Sequence, residues 1–239
     1  MIFKLNFGDR VIEFLSFDTA ESQDITKKVL TGEAYKIIPF ASNVNTIVDI
    51  GANLGAASVY FSLFYPNAKI FSVEPQKGPF DMLAHNTKLN PNNKIFHMGL
   101  LDRNKEAPLY LSWADTSAAS IGKSWLNTEH TQLIKLRDAA EWLQEENITQ
   151  IDILKIDTEG CEVPILSRIA SWLPSIQIIY LEYHNEPDRR AIDGLLSDSH
   201  VLVRSKAEFA HRGELVYVRA DLGDEASELH KHRIRIPDA

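Results

Sequence analysis

The spacing of apolar and polar positions changes along this 239-residue chain, and each change predicts an element. Residues 1–17 alternate, with IFKLNF and RVIEFL flanking Gly8 and Asp9, which predicts a short hairpin turning at that pair. Over 21–38 the apolar positions Ile25, Val29 and Leu30 recur at helical spacing, and Gly32 should break the helix they define. From Thr46 onward short apolar runs alternate with longer amphipathic stretches. The runs predict strands at 46–50, 69–73, 94–98, 151–156, 176–182 and 200–204, and the stretches predict helices at 56–64, 79–89, 136–146, 163–172 and 187–196. Repeated strand, helix, strand units make a parallel sheet covered on both faces, and the near-continuous runs IDILKI and IQIIYL fit its central strands. ELVYVRA at 214–220 predicts a last strand lying antiparallel, and residues 107–121 hold a strand-like run followed by a Ser/Ala-rich loop. The expected organisation is a hairpin-and-helix appendage over 1–40, an α/β domain over 41–220 and a polar tail over 221–239.

Composition adds exclusions. With 44% hydrophobic and 24% charged residues the chain can bury a substantial core. Its 25 Lys+Arg against 33 Asp+Glu give a net charge of −8, and no basic face is evident to neutralise phosphates, so nucleic acid is not an expected partner. The single cysteine, Cys161, excludes an intrachain disulfide and a multi-cysteine metal site; burial as a small packing residue is its expected role. No stretch approaches the roughly 18 to 20 apolar residues of a membrane span, and the first residues do not resemble a signal peptide. A cytoplasmic protein is expected, with self-association left open.

The loop after the first crossover strand, Asp49-Ile50-Gly51-Ala52-Asn53-Leu54-Gly55, carries the chemistry. A strand running through glycines into a helix is how open parallel sheets bind a nucleoside. The dinucleotide fingerprint requires a second glycine where Asn53 stands, and Asp49 would set a carboxylate near the place a pyrophosphate takes. A nicotinamide-dependent oxidoreductase is thereby disfavoured. S-adenosylmethionine, with an ammonium and a sulfonium and no phosphate, suits an acidic loop better. Glu74, 23 residues past Gly51, is near the spacing of an acid that accepts hydrogen bonds from ribose hydroxyls.

These segments, with Lys155-Ile156-Asp157-Thr158-Glu159-Gly160-Cys161-Glu162, resemble the FkbM-type methyltransferases, a branch of the class I S-adenosylmethionine-dependent enzymes. The similarity runs from about Tyr35 to Tyr183. It implies a Rossmann-like α/β fold with helices on both faces of a seven-stranded, mostly parallel sheet whose last strand is antiparallel. It also implies O-methylation of a hydroxyl on a sugar, polyketide or other small metabolite. Carried over by position, Asp49, Gly51, Asn53 and Gly55 would line the methionine end of the cofactor, Glu74 its ribose, and 99–102, ending in Asp102, its adenine.

Methyl transfer to oxygen needs alignment of the reactants and a group that takes the hydroxyl proton. Asp157 ends the fourth crossover strand, and Glu182 and His184 end the fifth, so adjacent strands would bring these three catalytic candidates to one crevice. His184 is the expected base, neutral near pH 7. The same trio could ligate a divalent ion, but its spacing has no compact metal motif and no metal is expected. Asp157 and Glu159 are further candidates for meeting the cofactor ammonium. Lys155 interrupts an apolar strand and should pair with Glu159, Glu162 or Glu182. The loop 115–120 with Trp113, Trp125 and Tyr35 is the candidate acceptor surface for a small molecule or glycan hydroxyl. A nucleoside-cofactor binding protein without turnover is the alternative from another class.

Overall fold

The alternating N-terminus forms an antiparallel hairpin of β1 (Ile2–Phe7) and β2 (Arg10–Leu15), followed by α1 (Ala20–Leu30). Thr19 caps α1 by accepting the Ser22 N–H at 3.3 Å, and the helix stops before Gly32, whose φ of 74° lies in the left-handed region. The computed structural model describes residues 1–7, 10–39, 41, 43–111, 119–120, 131–209 and 211–222. The expected turn pair Gly8 and Asp9, Trp113, Trp125, the loop over 115–118 and the tail beyond 222 lie outside the described residues.

The crossover region opens with β3 (Thr46–Ile50), α2 (Ala56–Phe64), β4 (Lys69–Val73), α3 (Lys77–Thr87) and β5 (Asn93–Phe96). The chain next adds β6 (Gly99–Leu101), β7 (Lys105–Leu111), β8 (Ala119–Ser120) and β9 (Thr131–Asp138), which form a separate four-stranded sheet in the order β6-β9-β7-β8. It then resumes with α4 (Ala139–Glu145), β10 (Ile153–Ile156), α5 (Glu162–Arg168), β11 (Ile178–Tyr183), α6 (Glu186–Leu196), β12 (His200–Phe209) and β13 (Arg212–Arg219).

The main sheet has seven strands in the order β12-β13-β11-β10-β3-β4-β5, with β13 antiparallel to both neighbours and the other pairings parallel. The order in which strands are added reverses between β3 and β10: β4 and β5 extend the sheet on one side of β3, and β10 and the later strands extend it on the other. A crevice at the carboxyl ends of β3 and β10 is where such a sheet takes a ligand.

Two expectations are corrected. The second sheet was not foreseen, and the helix expected over 136–146 begins only at Ala139. Residues 134–138 belong to β9, where Ile134 and Leu136 alternate inward, and Asp138 ends the strand by accepting the N–H groups of Ala140 and Glu141 as the cap of α4.

Alternation along the central strands divides the core into two. Val48, Ile50, Leu154, Ile156, Ile179 and Leu181 face α4, α5 and α6. Ile47, Ile153, Ile178 and Tyr180 face α1 and α2, with Phe14 of the hairpin and Phe61 in the same cluster. On the first face Trp142 is buried edge-on to Phe71, 6.4 Å between ring centroids, and to Phe96 at 5.2 Å. Trp142→Ala should therefore lower stability by about 3 to 5 kcal/mol. Urea denaturation checks this; an unchanged midpoint would show that the ring does not anchor that layer.

Candidate active site

Asp49 and Lys155 are direct neighbours in the parallel pairing of β3 with β10, and both point to the α1/α2 side of the sheet. Asp49 is fully buried and Lys155 is 3% exposed. The Lys155 ammonium donates to the Gly51 carbonyl at 2.6 Å and lies 3.3 Å from Asp49 Oδ1 and 3.8 Å from Asp157 Oδ2. The other Asp49 oxygen accepts from Ser58 Oγ at 2.6 Å. Burial opposes the ammonium, but Asp49 and Asp157 outweigh it and hold the lysine above its ordinary value. The loop is tied on its other side as well. Gly51 has a φ of 76°, and a Cβ there would overlap the Asp157 backbone carbonyl, so only glycine lets the two strand ends approach this closely.

Above the loop opens a cavity of about 460 Å³, within the size range of small-molecule sites. One lobe is apolar, lined by Ile50, Val73, Pro75, Leu100, Leu109 and Leu136. Glu74 stands at its edge, and its two oxygens accept the Asn53 and Gln76 N–H groups at 2.8 Å each. Burial pushes its carboxyl up to about 7 against those two hydrogen bonds and nearby Lys155.

The opposite lobe is ionic. β10 and β11 are adjacent, so Asp157, Glu182 and His184 can each offer a ligand atom within 4.8 Å of the others. Arg212 of β13 lies 2.6 Å from Glu182 and 3.5 Å from Glu159. Burial opposes ionisation of Asp157, yet Lys155, a hydrogen bond with Glu182 and the His184 and Arg212 charges hold it below the carboxylate range. Burial, and Asp157 beside it, push Glu182 up to about 9. The two carboxyls thus share a site in which Asp157 is held down and Glu182 pushed up, so the pair does not readily carry two charges. His184 Nε2 lies 3.0 Å from Glu159 and Nδ1 3.6 Å from Glu162; although burial disfavours its charge, these carboxylates raise it to about 11. A cation could be ligated by the trio only by displacing charges already paired there.

The turn beneath this lobe is held by Glu162, which is fully buried and accepts from the Thr158 N–H and hydroxyl and from the Gly160 N–H. That grip maintains Glu159 at a φ of 54°, a costly conformation for a residue with a side chain, followed by Gly160 at 108°.

Of the residues singled out from sequence, Gly51, Asn53, Glu74, Asp157, Glu159 and Glu182 line the cavity. Gly55 instead starts α2 with a φ of 86°, and its missing Cβ makes room for Leu83. Three placements are corrected. Asp49 lies under the loop instead of on the cavity wall, because Ser58 and Lys155 engage it. Asp102 is drawn to the surface by Arg103, 2.8 Å away, while Gly99 and Leu100 reach the cavity. Lys155 pairs with Asp49 and Asp157 instead of Glu159, Glu162 or Glu182. The Glu159 and Glu162 carboxylates beside His184 also favour its charged form over the neutral state expected. Cys161 is buried at the cavity edge with its thiol pushed up to about 12 by burial and Glu162, as suits a packing residue. Arg212 was missed; the only signal for it was the excess of acids at neighbouring strand ends.

A seven-stranded sheet with this order, a single antiparallel strand next to the edge and a glycine loop at the switch point define a class I methyltransferase fold. Residues 49–217 match the methyltransferase FkbM domain, and the chain belongs to that family. Methyltransferase sdnD of Sordaria araneosa is 25% identical over an alignment that covers 83% of this chain and 90% of that protein. Hexuronic acid methyltransferase AglP of Haloferax volcanii is 25% identical over 160 residues, 66% of this chain. The 2-O-methyltransferase NoeI of Sinorhizobium fredii is 23% identical over 154 residues, 59% of this chain. The chain spans 64% and 63% of the lengths of the latter two.

Glu74, Glu182 and His184 all have raised values, so their protonated forms favour the folded state. Their stabilisation is complete below the ordinary values of 4.5 for the acids and 6.5 for histidine. It is lost as pH rises through about 7, 9 and 11 respectively. The melting temperature should fall steadily on the alkaline side, and His184→Gln should flatten that fall; parallel curves for the two proteins would contradict an imidazolium at this position.

Proposed function

We propose that this protein transfers a methyl group from S-adenosylmethionine to a hydroxyl oxygen of a sugar or similar polar metabolite. The observation that carries the reading is one cavity with an apolar lobe edged by Glu74 and an ionic lobe floored by ionised Asp157. The donor set suits the cofactor. Ile50, Val73, Pro75 and Leu100 would hold an adenine, Glu74 would accept from ribose hydroxyls, and the acidic lobe would attract the cationic end. When bound, S-adenosylmethionine supplies an electrophilic methyl group.

The protein's part in the reaction is to position the acceptor and take its proton. Asp157, ionised at neutral pH, accepts a hydrogen bond from the attacking hydroxyl and then its proton. Protonated Glu182 donates to Asp157 and fixes which oxygen faces the acceptor. His184 and Arg212 compensate the surrounding carboxylates, which supports a positioning role for His184 with Asp157 as the base. Two relatives are named for a hexuronic acid and for 2-O-methylation, which supports a sugar hydroxyl as acceptor.

Calorimetry should register S-adenosylmethionine binding to the purified protein, and mass spectrometry should find isotopically labelled methyl on glycosides or uronic acids incubated with labelled donor. Asp157→Asn should lose about 100-fold or more in transfer, with a much smaller weakening of donor binding. Absence of donor binding at millimolar concentration, or full turnover by Asp157→Asn, would contradict the reading; donor binding without transfer to any acceptor would favour a binding protein.

A further inference from the structure

Helix α1 has two working faces. Ser22, Thr26, Val29 and Leu30 are buried on the side that packs on α2. Glu21, Asp24, Ile25 and Lys28, at the three- and four-residue spacing of one helix stripe, line the cavity. Ile25 is 38% exposed there, an apolar surface among charges at the mouth. After Gly32 the chain is tied to the main sheet by its carbonyls. Arg204 donates to Ala34 and Glu33 at 3.1 and 3.2 Å, and the Tyr180 hydroxyl donates to Lys36 at 2.6 Å.

This strap carries Tyr35 into the cavity. The Tyr35 ring is edge-on to Tyr180, 5.6 Å between centroids, and 6.2 Å from Phe61. Burial, together with the Asp157, Glu182, Asp49 and Glu214 carboxyls, keeps its hydroxyl neutral and able to donate. Lys206 and Glu214, register partners on β12 and β13, line the same cavity. Residues 21–35 all precede the stretch that matches the family, which begins at 49.

We propose that this N-terminal wall, with Lys206 and Glu214, is the acceptor subsite and receives a glycosyl ring. The proposal rests on the methyl-transfer reading above. The side chains match the two kinds of surface that a sugar presents. Asp24 and Lys28 pair at 2.6 Å, and Glu214 lies 3.8 Å from Arg204. The further lone pairs and N–H groups of these side chains and of Glu21 and Lys206 can meet sugar hydroxyls, while the sugar's C–H face lies on Ile25 and Tyr35. An apolar acceptor would instead strip water from these charged groups without replacing its hydrogen bonds. Tyr35 of this wall lies within electrostatic reach of Asp157 and Glu182, which line the same cavity, so a ring seated on the wall would bring a hydroxyl towards the carboxyl pair. Acceptor choice then belongs to α1 and the strap, and donor binding to the loop around Gly51 and Glu74.

The test uses the full chain saturated with S-adenosylhomocysteine and titrated with methyl glucuronide and with methyl glucoside, observed by saturation-transfer NMR. At least one glycoside should bind. Ile25→Trp, which fills the mouth, and Tyr35→Phe, which removes one donor, should each weaken that binding about tenfold. Both variants should keep their affinity for S-adenosylhomocysteine within about twofold and their melting temperature. Failure of both glycosides to bind the saturated protein would overturn the proposal. So would unchanged glycoside binding in both variants, or an equal loss of nucleoside affinity. If the wild-type protein does not bind S-adenosylhomocysteine, the methyl-donor reading fails first and the subsite proposal falls with it.

Discussion

The ammonium of Lys155 sets the geometry on which the rest of the site depends. It is buried between two parallel strands at their switch point, where it meets Asp49, Asp157 and the Gly51 carbonyl together. A charge removed from water at this depth persists only if its partners replace the lost solvation. Here one partner is the strand before the glycine loop, one is the loop itself and one is the carboxylate just past the end of the lysine's own strand. A single cation thereby fixes the loop that edges the cavity and keeps Asp157 ionised.

The charges of the ionic lobe follow from that constraint. Asp157, already stabilised by Lys155, is held down, and burial together with its charge pushes Glu182 beside it up. Glu159 and Glu162 close on His184 and keep it cationic, while Arg212 reaches from β13 to bridge Glu182 and Glu159. Glu162 serves a second purpose by holding the strained turn that points Glu159 at the cavity. The acidic excess seen in the overall charge of −8 is thus partly a local feature, a set of carboxylates gathered at strand ends and compensated by three cations.

Much of the fold was legible because each crossover strand is a short apolar run bounded by turn-forming residues. The strands at 46–50 and 69–73 and the helix at 56–64 have their predicted bounds, and the antiparallel last strand was visible in ELVYVRA. The second sheet was not legible. β9 alternates every second residue, but its last apolar positions run directly into the amphipathic helix that follows, and the period of the helix masked the strand. In the site, residue types and strand ends located Glu74, Asp157, Glu159 and Glu182. Sequence spacing could not say which carboxylate Lys155 would choose, because the choice is made by parallel register, which sets Asp49 beside it from 106 positions away in the chain. The same limit hid the burial of Asp49, the outward turn of Asp102 and the cationic state of His184.

The most direct measurement is a double-mutant cycle on the buried pair, read by equilibrium urea denaturation. Lys155→Met alone leaves Asp49 and Asp157 without their cation and should cost about 3 to 5 kcal/mol. Adding Asp49→Asn removes the orphaned charge while leaving an acceptor for Ser58, so the double variant should regain a large part of that loss, with a coupling of about 1 kcal/mol or more. Additive losses within about 0.5 kcal/mol would mean that the two groups do not interact, and would contradict Lys155 as the centre of the site.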